Sequence, residues 1–417
     1  MPSHSEQSTT AIDYSARAAN SSALMGNYAR QPVSFVRGNS CWLHDADGRA
    51  YLDGLCGISV TNLGHSHPAV TQAISEQAAA LLHTSNIFHI ENQSLLAAKL
   101  CALSGLDKAF FANSGAEANE AAVKLARLYA QSQGVAEPLI ITFYGSFHGR
   151  TLGMIAATAG DKIKEGFEPT LPGFLHLPLN DKEALQAAFA KHDNIAGILV
   201  EPVQGEGGIN LTSIEFLDLA QTLCQNHYNS HRPLLILDEV QSGNGRCGNY
   251  FAIETLQKMG CSAKADILTT AKALGNGVPI GACMASEEVA EVFVPGKHGS
   301  TFGGNPFATR VALEVVQQIE SKKLADKASA TGEALRKAFK TRLGDLPWVS
   351  DIRGLGLMIG IELNKPCGEL VSRGLKKGVV VNVTAGNVLR LLPPLVMSQE
   401  ETDLLIEKIV ELVIEFG

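Results

Sequence analysis

The sequence lacks any apolar run near the roughly 20 residues that a membrane-spanning helix needs. It also lacks a mass of basic residues: 34 lysines and arginines are scattered among 42 acids, for a net charge of −8, which argues against nucleic acid as the main partner. There is no Cys-x-x-Cys pair. The eight cysteines (41, 56, 101, 224, 247, 261, 283, 367) are dispersed and read as reduced, mostly core thiols of a cytoplasmic protein. Histidines at 65 and 67 flank Ser66 without an accompanying ligand set, so no metal site is expected. The first ten residues are polar, with neither a basic start nor an apolar segment, so no secretory signal is expected. Internal repeats and low-complexity stretches are missing as well.

What remains is an ordinary globular composition, 45% hydrophobic and 18% charged. At 417 residues the chain exceeds what one core usually holds, so two domains are expected. Residues 1–22 read as a loose tail. Residues 34–52 alternate short apolar runs around Asp45-Ala46-Asp47-Gly48, a turn between two antiparallel strands. From 68 to 304, strands (110–111, 139–143, 195–200, 234–237, 267–269) alternate with helices (116–131, 181–191, 214–226). That alternation predicts an α/β domain, a mostly parallel sheet covered by helices, whose ligands bind beyond the carboxyl ends of the strands. After Asn305 a long helical pattern runs to 343 and breaks at Pro347. Strands at 349–352, 357–363, 379–382 and 388–391 follow, then a closing helix from 398 to 416. Residues 23–67 and 305–417 are expected to join as one smaller α+β domain built from both chain ends.

Two of the strand ends carry chemistry. Leu234-Leu235-Ile236-Leu237-Asp238-Glu239-Val240-Gln241 ends in acid, and Ile267-Leu268-Thr269-Thr270-Ala271-Lys272 ends in a lysine. Singly, Asp238 could cap a loop and Lys272 could be a solvated lysine. As a pair they match the two ends of pyridoxal phosphate chemistry: an amine for the Schiff base and a carboxylate that keeps the pyridine nitrogen protonated. Asn113-Ser114-Gly115-Ala116-Glu117 joins a strand to a helix start, where backbone N–H groups and the helix dipole bind phosphate. Gly299-Ser300-Thr301-Phe302-Gly303-Gly304 alternates hydroxyls with glycines and is a second phosphate candidate. In Tyr144-Gly145-Ser146-Phe147-His148-Gly149-Arg150 an aromatic could lie on a pyridine face, and Arg150 could pair with a substrate carboxylate. Glu201 and Glu206 bracket the glycine-rich loop that follows 195–200. Arg390 stands alone among apolar residues, where an unpartnered charge is costly. A substrate carboxylate, or Glu206 in its absence, could be its partner.

With these motifs in this order, the chain resembles the class III (ornithine-type) aminotransferases of PLP fold type I over about residues 24–416. The runs Tyr28-Ala29-Arg30-Gln31-Pro32-Val33, Tyr51-Leu52-Asp53, Asn62-Leu63-Gly64-His65 and His83-Thr84-Ser85-Asn86 resemble the acetylornithine-type subgroup. The resemblance implies that Lys272 is the Schiff-base lysine, Asp238 the pyridinium partner, Gln241 a hydrogen-bond partner of the ring's phenolic oxygen, and Phe147 a stacking ring. It places His148 and Ser114 beside the cofactor, gives Gly115 and Ala116 its phosphate in one subunit, and brings Thr301 to the phosphate of the other subunit, making a homodimer with shared sites. Arg150 and Arg390 would bind substrate carboxylates, with Glu206 answering to Arg390 and Asn86 in the substrate pocket. Where ornithine δ-aminotransferases carry a pocket tyrosine for ornithine's free α-amino group, this chain has Ile58, which suits a capped nitrogen; a second pocket position is His89.

The implied reaction moves the δ-amino group of N2-acetylornithine to 2-oxoglutarate, giving N-acetylglutamate 5-semialdehyde and glutamate in arginine biosynthesis. Glutamate reacts at its α-carbon and acetylornithine at its far end, so one carboxylate clamp must be switchable, and the Glu206–Arg390 pair could be that switch. Succinylornithine, 4-aminobutyrate or N-succinyl-diaminopimelate transamination would use the same core residues. A glutamate-1-semialdehyde-type aminomutase would share fold and cofactor but leave Arg390 without a purpose.

Overall fold

The computed structural model describes residues 24–226 and 231–417; the expected tail, residues 1–22, lies outside them. The chain divides into two units, Met1–Ser34 and Phe35–Gly417. The described part of the first holds two short turns, Arg30 N–H to the Tyr28 carbonyl (3.1 Å) and Val33 N–H to the Gln31 carbonyl (2.8 Å).

The second unit is organised by a seven-stranded sheet. Its order is Lys108–Ala112, Gly281–Ala285, Ile267–Thr270, Leu234–Asp238, Ile195–Val200, Leu139–Phe143, Phe174–Leu177. Six strands share a direction and Gly281–Ala285 opposes both of its neighbours. The three strands at 195, 234 and 267 are buried throughout. Strands covered on both faces have no reason to alternate, which is why the 195 and 234 strands read as apolar runs, while the 267 strand ends in two buried threonines. Gly281–Ala285 escaped sequence reading because its composition, Gly-Ala-Cys-Met-Ala, has no β-branched residue.

The helix Gly115–Ser132 packs on the Gly281–Ala285, Ile267–Thr270 and Lys108–Ala112 strands. It buries Ala118, Ala121, Ala122, Leu125, Ala126 and Tyr129, a helical stripe whose alanines let the backbone approach the sheet closely. Ser114 caps it, its hydroxyl oxygen accepting the Glu117 N–H at 3.2 Å.

A smaller sheet combines both chain ends. Phe35–Asn39, Trp42–Asp45 and Ala50–Asp53 are antiparallel, and Val379–Val380 adds in parallel to Ala50–Asp53. The turn at Asp45 is as expected: its carboxylate accepts the Asp47 and Arg49 N–H groups, and Gly48 supplies a φ of +81°. A third, antiparallel sheet orders Val349–Leu355, Met358–Leu363, Val388–Leu391 and Asn382–Thr384, and carries Arg390 on its third strand.

Two expectations are corrected here. The helical pattern of 305–343 is two helices, Pro306–Ser321 and Leu324–Leu343, because Lys323 takes a left-handed φ of +50°. The apolar run 379–382 splits between two sheets, Val379–Val380 in one and Asn382–Thr384 in the other.

One short segment is strained. In Cys56–Ser59 all four residues have positive φ, +53°, +61°, +69° and +59°. Three of the four carry a β-carbon, which costs roughly 1–2 kcal/mol each in this conformation. Leu55 O accepts the Ile58 and Ser59 N–H groups, and Asp53 Oδ1 accepts those of Leu55 and Cys56. Among the described residues, no helix is long and apolar enough to cross a membrane.

Candidate active site

Beyond the carboxyl ends of the 234 and 267 strands lies a cavity of about 250 Å³ that Lys272, Asp238, Gln241, Phe147, His148 and Arg150 all help to line. Gly115 and Ala116 form its phosphate-type corner. Eight residues singled out in the sequence therefore converge on one space.

Lys272 follows the 267 strand with a φ of +43°, a sparsely populated conformation that costs of order 1–3 kcal/mol and gathers at functional sites. The residue as a whole is half-buried, and burial of its ammonium pushes the pKa down to about 8, against a smaller upward pull from the Glu206 carboxylate.

Asp238 is immobilised by donors. Its Oδ2 accepts from Asn119 Nδ2 (2.7 Å) and pairs with His148 Nδ1 (2.8 Å), while Oδ1 accepts the Val240 N–H at 3.0 Å. Asn119 also donates to the His148 carbonyl (2.9 Å) and accepts the Thr269 hydroxyl (2.7 Å), so every polar atom of its amide is used. The His148 Nε2 atom is buried without a hydrogen-bond partner among the described residues. Such an orphan is uncommon in a native interior and marks a group with something still to meet.

Glu201, also in the cavity, takes the Phe147 N–H on one oxygen (3.0 Å) and the Gly205 N–H on the other (3.3 Å). Burial raises its pKa to about 7. Next to the cavity, Arg390 is buried and its Nη1 reaches Glu206 Oε1 at 2.6 Å and Gln241 Oε1 at 3.2 Å; Nη2 donates to Asn382 Oδ1 at 2.7 Å. Burial alone would raise the Glu206 pKa, but the Arg390 guanidinium, Lys272 and a Gln241 hydrogen bond together outweigh it and the net shift is downward. Arg150 is exposed, its guanidinium 5.5 Å from the Phe147 ring centre, and makes no ion pair among the described residues.

Some expected residues stand elsewhere. Thr301 and Asn86 do not line the Lys272 cavity. Asn86 donates to the Ser300 and Gly303 carbonyls (3.0 and 2.9 Å) and thereby holds the loop that carries Thr301. Ser114 uses its hydroxyl oxygen as a helix cap. Ile58 lies in the strained turn, whose Ser59 hydroxyl donates to the Gln241 carbonyl at 3.2 Å. His89 is exposed. His65 pairs with Asp53 Oδ2 at 2.7 Å, and no three metal-type ligands converge among the described residues.

Sequence reasoning passed over Asn119, Val240 and the role of Glu201. Asn119 had a readable signal, a polar residue within the alanine stripe of 118–126. Val240 had none: it matters because a β-carbon on Gly115 would fall 2.6 Å from Val240 Cγ1, a contact only the fold creates.

The donor set fits pyridoxal phosphate. A fixed carboxylate, a half-buried lysine of lowered pKa, an aromatic ring and a long helix's free first-turn N–H groups line one cavity, and Gly115 keeps that helix start pressed against Val240.

A large mostly parallel α/β sheet with a lysine and an acid at the ends of adjacent strands defines a class: this chain belongs to the class-III aminotransferase family, whose pattern it matches over residues 25–413. Its fold is PLP fold type I. Within that class, it is 48% identical over 396 residues to the acetylornithine aminotransferase of Nitrosomonas europaea, covering 95% of this chain and 98% of that protein. Two solved structures are also similar. The ornithine aminotransferase from Toxoplasma gondii, described with partial occupancy of PLP at its active site, aligns with a TM-score of 0.89 at 32% identity, covering 97% of this chain and 95% of that one. The acetylornithine aminotransferase from Elizabethkingia anophelis aligns with a TM-score of 0.83 at 33% identity, covering 96% and 98%.

Proposed function

We propose that this enzyme is a pyridoxal phosphate-dependent aminotransferase that moves the δ-amino group of N2-acetylornithine to 2-oxoglutarate. The observation that carries the reading is the Glu206–Arg390 pair at 2.6 Å beside the Lys272–Asp238 cavity. An aminotransferase that takes one substrate by its far end and another by its α-carbon needs a cationic clamp that can be masked, and this pair supplies one.

When bound, pyridoxal phosphate supplies an electron sink next to the carbon that bears the amine. Asp238, oriented by Asn119, His148 and the Val240 N–H, would hold the pyridine nitrogen. Gly115 and Ala116 would hold the phosphate through their N–H groups, Phe147 would cover the ring face and Gln241 would bond its phenolic oxygen. Lys272 Nζ, with a pKa near 8, can take and return a proton close to neutral pH. Arg150 would grip the carboxylate distal to the reacting carbon. Arg390, freed when Glu206 turns away, would take the α-carboxylate of glutamate; masked, it leaves room for acetylornithine. Ile58 would favour a capped α-nitrogen over an ammonium.

The active unit is read as a homodimer in which Thr301 serves the partner's phosphate. Its support is an apolar surface unusual for a free monomer: Ile87, Phe88 and Phe302 are 81%, 63% and 61% exposed, on segments that Asn86 and a His83–Phe302 ring contact tie together. Two domains, 68–304 binding the cofactor and 23–67 with 305–417 forming the smaller, fit the sheet that joins Val379–Val380 to Ala50–Asp53. Eight free thiols fit a reducing cytoplasm.

The test is a half-reaction panel followed by cofactor absorbance with N2-acetylornithine, N2-succinylornithine, ornithine and 4-aminobutyrate. The reading expects acetylornithine to bleach the yellow enzyme with the highest kcat/KM and 2-oxoglutarate to restore it. Ornithine or 4-aminobutyrate in first place would overturn the substrate assignment.

A further inference from the structure

The guanidinium of Arg246 is completely buried, yet its hydrogen bonds go to neutral groups. Nε donates to Ser59 Oγ at 3.1 Å, Nη1 to the carbonyls of Leu357 (3.3 Å) and Pro393, and Nη2 to Asn62 Oδ1. No carboxylate pairs with it among the described residues. The Asp53 carboxylate acts on it only through space, and a buried cation without a direct anionic partner is expensive, so what it holds in place is informative.

It holds the left-handed turn Cys56–Ser59. The hydrogen bonds that close the turn are local, from Leu55, Cys56 and Asp53. They do not by themselves fix the turn against the rest of the site. Ser59 does: it accepts from Arg246 Nε and passes its own hydroxyl hydrogen to the Gln241 carbonyl. Gln241 lines the Lys272 cavity and accepts from Arg390 Nη1. Asn62, just past the turn, accepts from Arg246 and donates to the Asn244 carbonyl at 3.1 Å. Pro393, another acceptor, follows Arg390 by three positions. One guanidinium thus joins the segment carrying Ile58 to the backbone beside both ends of the cavity.

We infer that Arg246 is a positioning residue for amine-donor selection: acting through Ser59, it keeps Cys56–Ser59 in its left-handed form and so fixes Ile58 relative to Gln241 and Arg390. Discrimination between a capped and a free α-amine is then a property of this turn as much as of the Ile58 side chain. The inference rests on the substrate reading above. It makes a paired prediction that general loosening of the structure would not. Ser59→Ala removes the link and keeps the strain of a β-carbon at positive φ. Ser59→Gly removes the link but also the strain, so the turn should hold its form better with glycine.

The holoenzymes are compared with wild type by hydrogen–deuterium exchange over residues 55–61 and by half-reaction kcat/KM for N2-acetylornithine and ornithine. In Ser59→Ala, exchange there should rise and the acetylornithine-to-ornithine ratio should fall about tenfold or more, the scale set by a buried donor losing its acceptor. Ser59→Gly should lose less on both readouts. Arg246→Lys, which keeps the charge but not the fork, should behave like Ser59→Ala; if it does not fold, the two serine variants decide. An unchanged ratio in Ser59→Ala, or glycine as damaging as alanine, overturns the inference. A wild type that does not prefer acetylornithine overturns the substrate reading instead, and the exchange data still judge whether Arg246 and Ser59 hold the turn.

Discussion

At one end of the cavity Asp238 is only 4% exposed, and three donors from three elements converge on its two oxygens. At the other end Arg390 is as deeply buried, but its anionic partner, the Glu206 side chain, is 35% exposed. The first carboxylate cannot turn without stranding Asn119, His148 and the Val240 N–H. The second can leave for water, and Arg390 would still keep Asn382 and the Gly205 carbonyl. Under the proposed assignment, the group that would perform the same task in every half-reaction is locked, while the one that would serve two substrates in turn is paired loosely enough to part. Lys272 stands between them, its pKa pushed down by burial and by Arg390 and drawn up by both carboxylates.

The largest effect belongs to the residue shared by both ends. Lys272→Ala should still bind pyridoxal phosphate through the remaining contacts, but lose activity by several orders of magnitude in both half-reactions, since the covalent attachment and the proton carrier both vanish. Cofactor absorbance and single-turnover rates measure this. Turnover near the wild-type rate would show that the cavity is not the active site.

Asp238→Asn strikes the locked end. All the groups that meet Asp238 are donors or can be, so no orientation of an amide satisfies them together, and the charge is lost as well. Turnover should fall on the order of 10²–10³-fold, the scale seen when a group stabilising transition-state charge is removed, and equally in both half-reactions. An unshifted cofactor band with unchanged rates would leave Asp238 a loop cap.

Arg390→Ala strikes the loose end and should be asymmetric. Loss of a desolvated partner for a carboxylate costs about 2–5 kcal/mol, and this should fall on glutamate and 2-oxoglutarate, because in the proposed switch the arginine is masked when acetylornithine binds. Arg150→Ala should hurt both halves. Equal losses in both halves for Arg390→Ala would reject the switch.

The locked end was the more legible in the sequence. Asp238 closes an unbroken apolar strand and Lys272 follows a buried one that ends in two threonines, and buried parallel strands announce themselves by composition and lack of alternation. Gly115 and Ala116 were readable because a strand-to-helix turn needs small residues. The loose end was legible only as an anomaly, an arginine among leucines at 389–392, with two acids in a glycine loop nearly two hundred residues earlier. What stayed hidden depends on long-range contact. Nothing local in Ser59-Val60-Thr61-Asn62 announces that a guanidinium from position 246 will anchor it. The antiparallel strand Gly281–Ala285 and the break at Lys323 were also missed. In both, a backbone requirement imposed by packing overrode weak local preference.

The smallest effect probes the coupling between the two ends. The Glu206 carboxylate raises the Lys272 pKa and Arg390 lowers it. Glu206→Gln removes the first influence and leaves the second, so the lysine pKa should drop below its value of about 8. A lysine captures the cofactor as the neutral amine, which is present above its pKa, so the pH midpoint for capture by cofactor-free protein should move to lower pH. The shift should be under about one unit, or 1.4 kcal/mol, because a carboxylate one-third exposed is partly screened by water. Stopped-flow absorbance after mixing cofactor-free protein with pyridoxal phosphate across pH 6–10 reads the midpoint directly. Raising ionic strength should narrow the gap between variant and wild type if the influence is through space. A midpoint that stays put, or moves upward, would mean that Glu206 acts on Arg390 alone and that the two ends of the cavity are electrostatically independent.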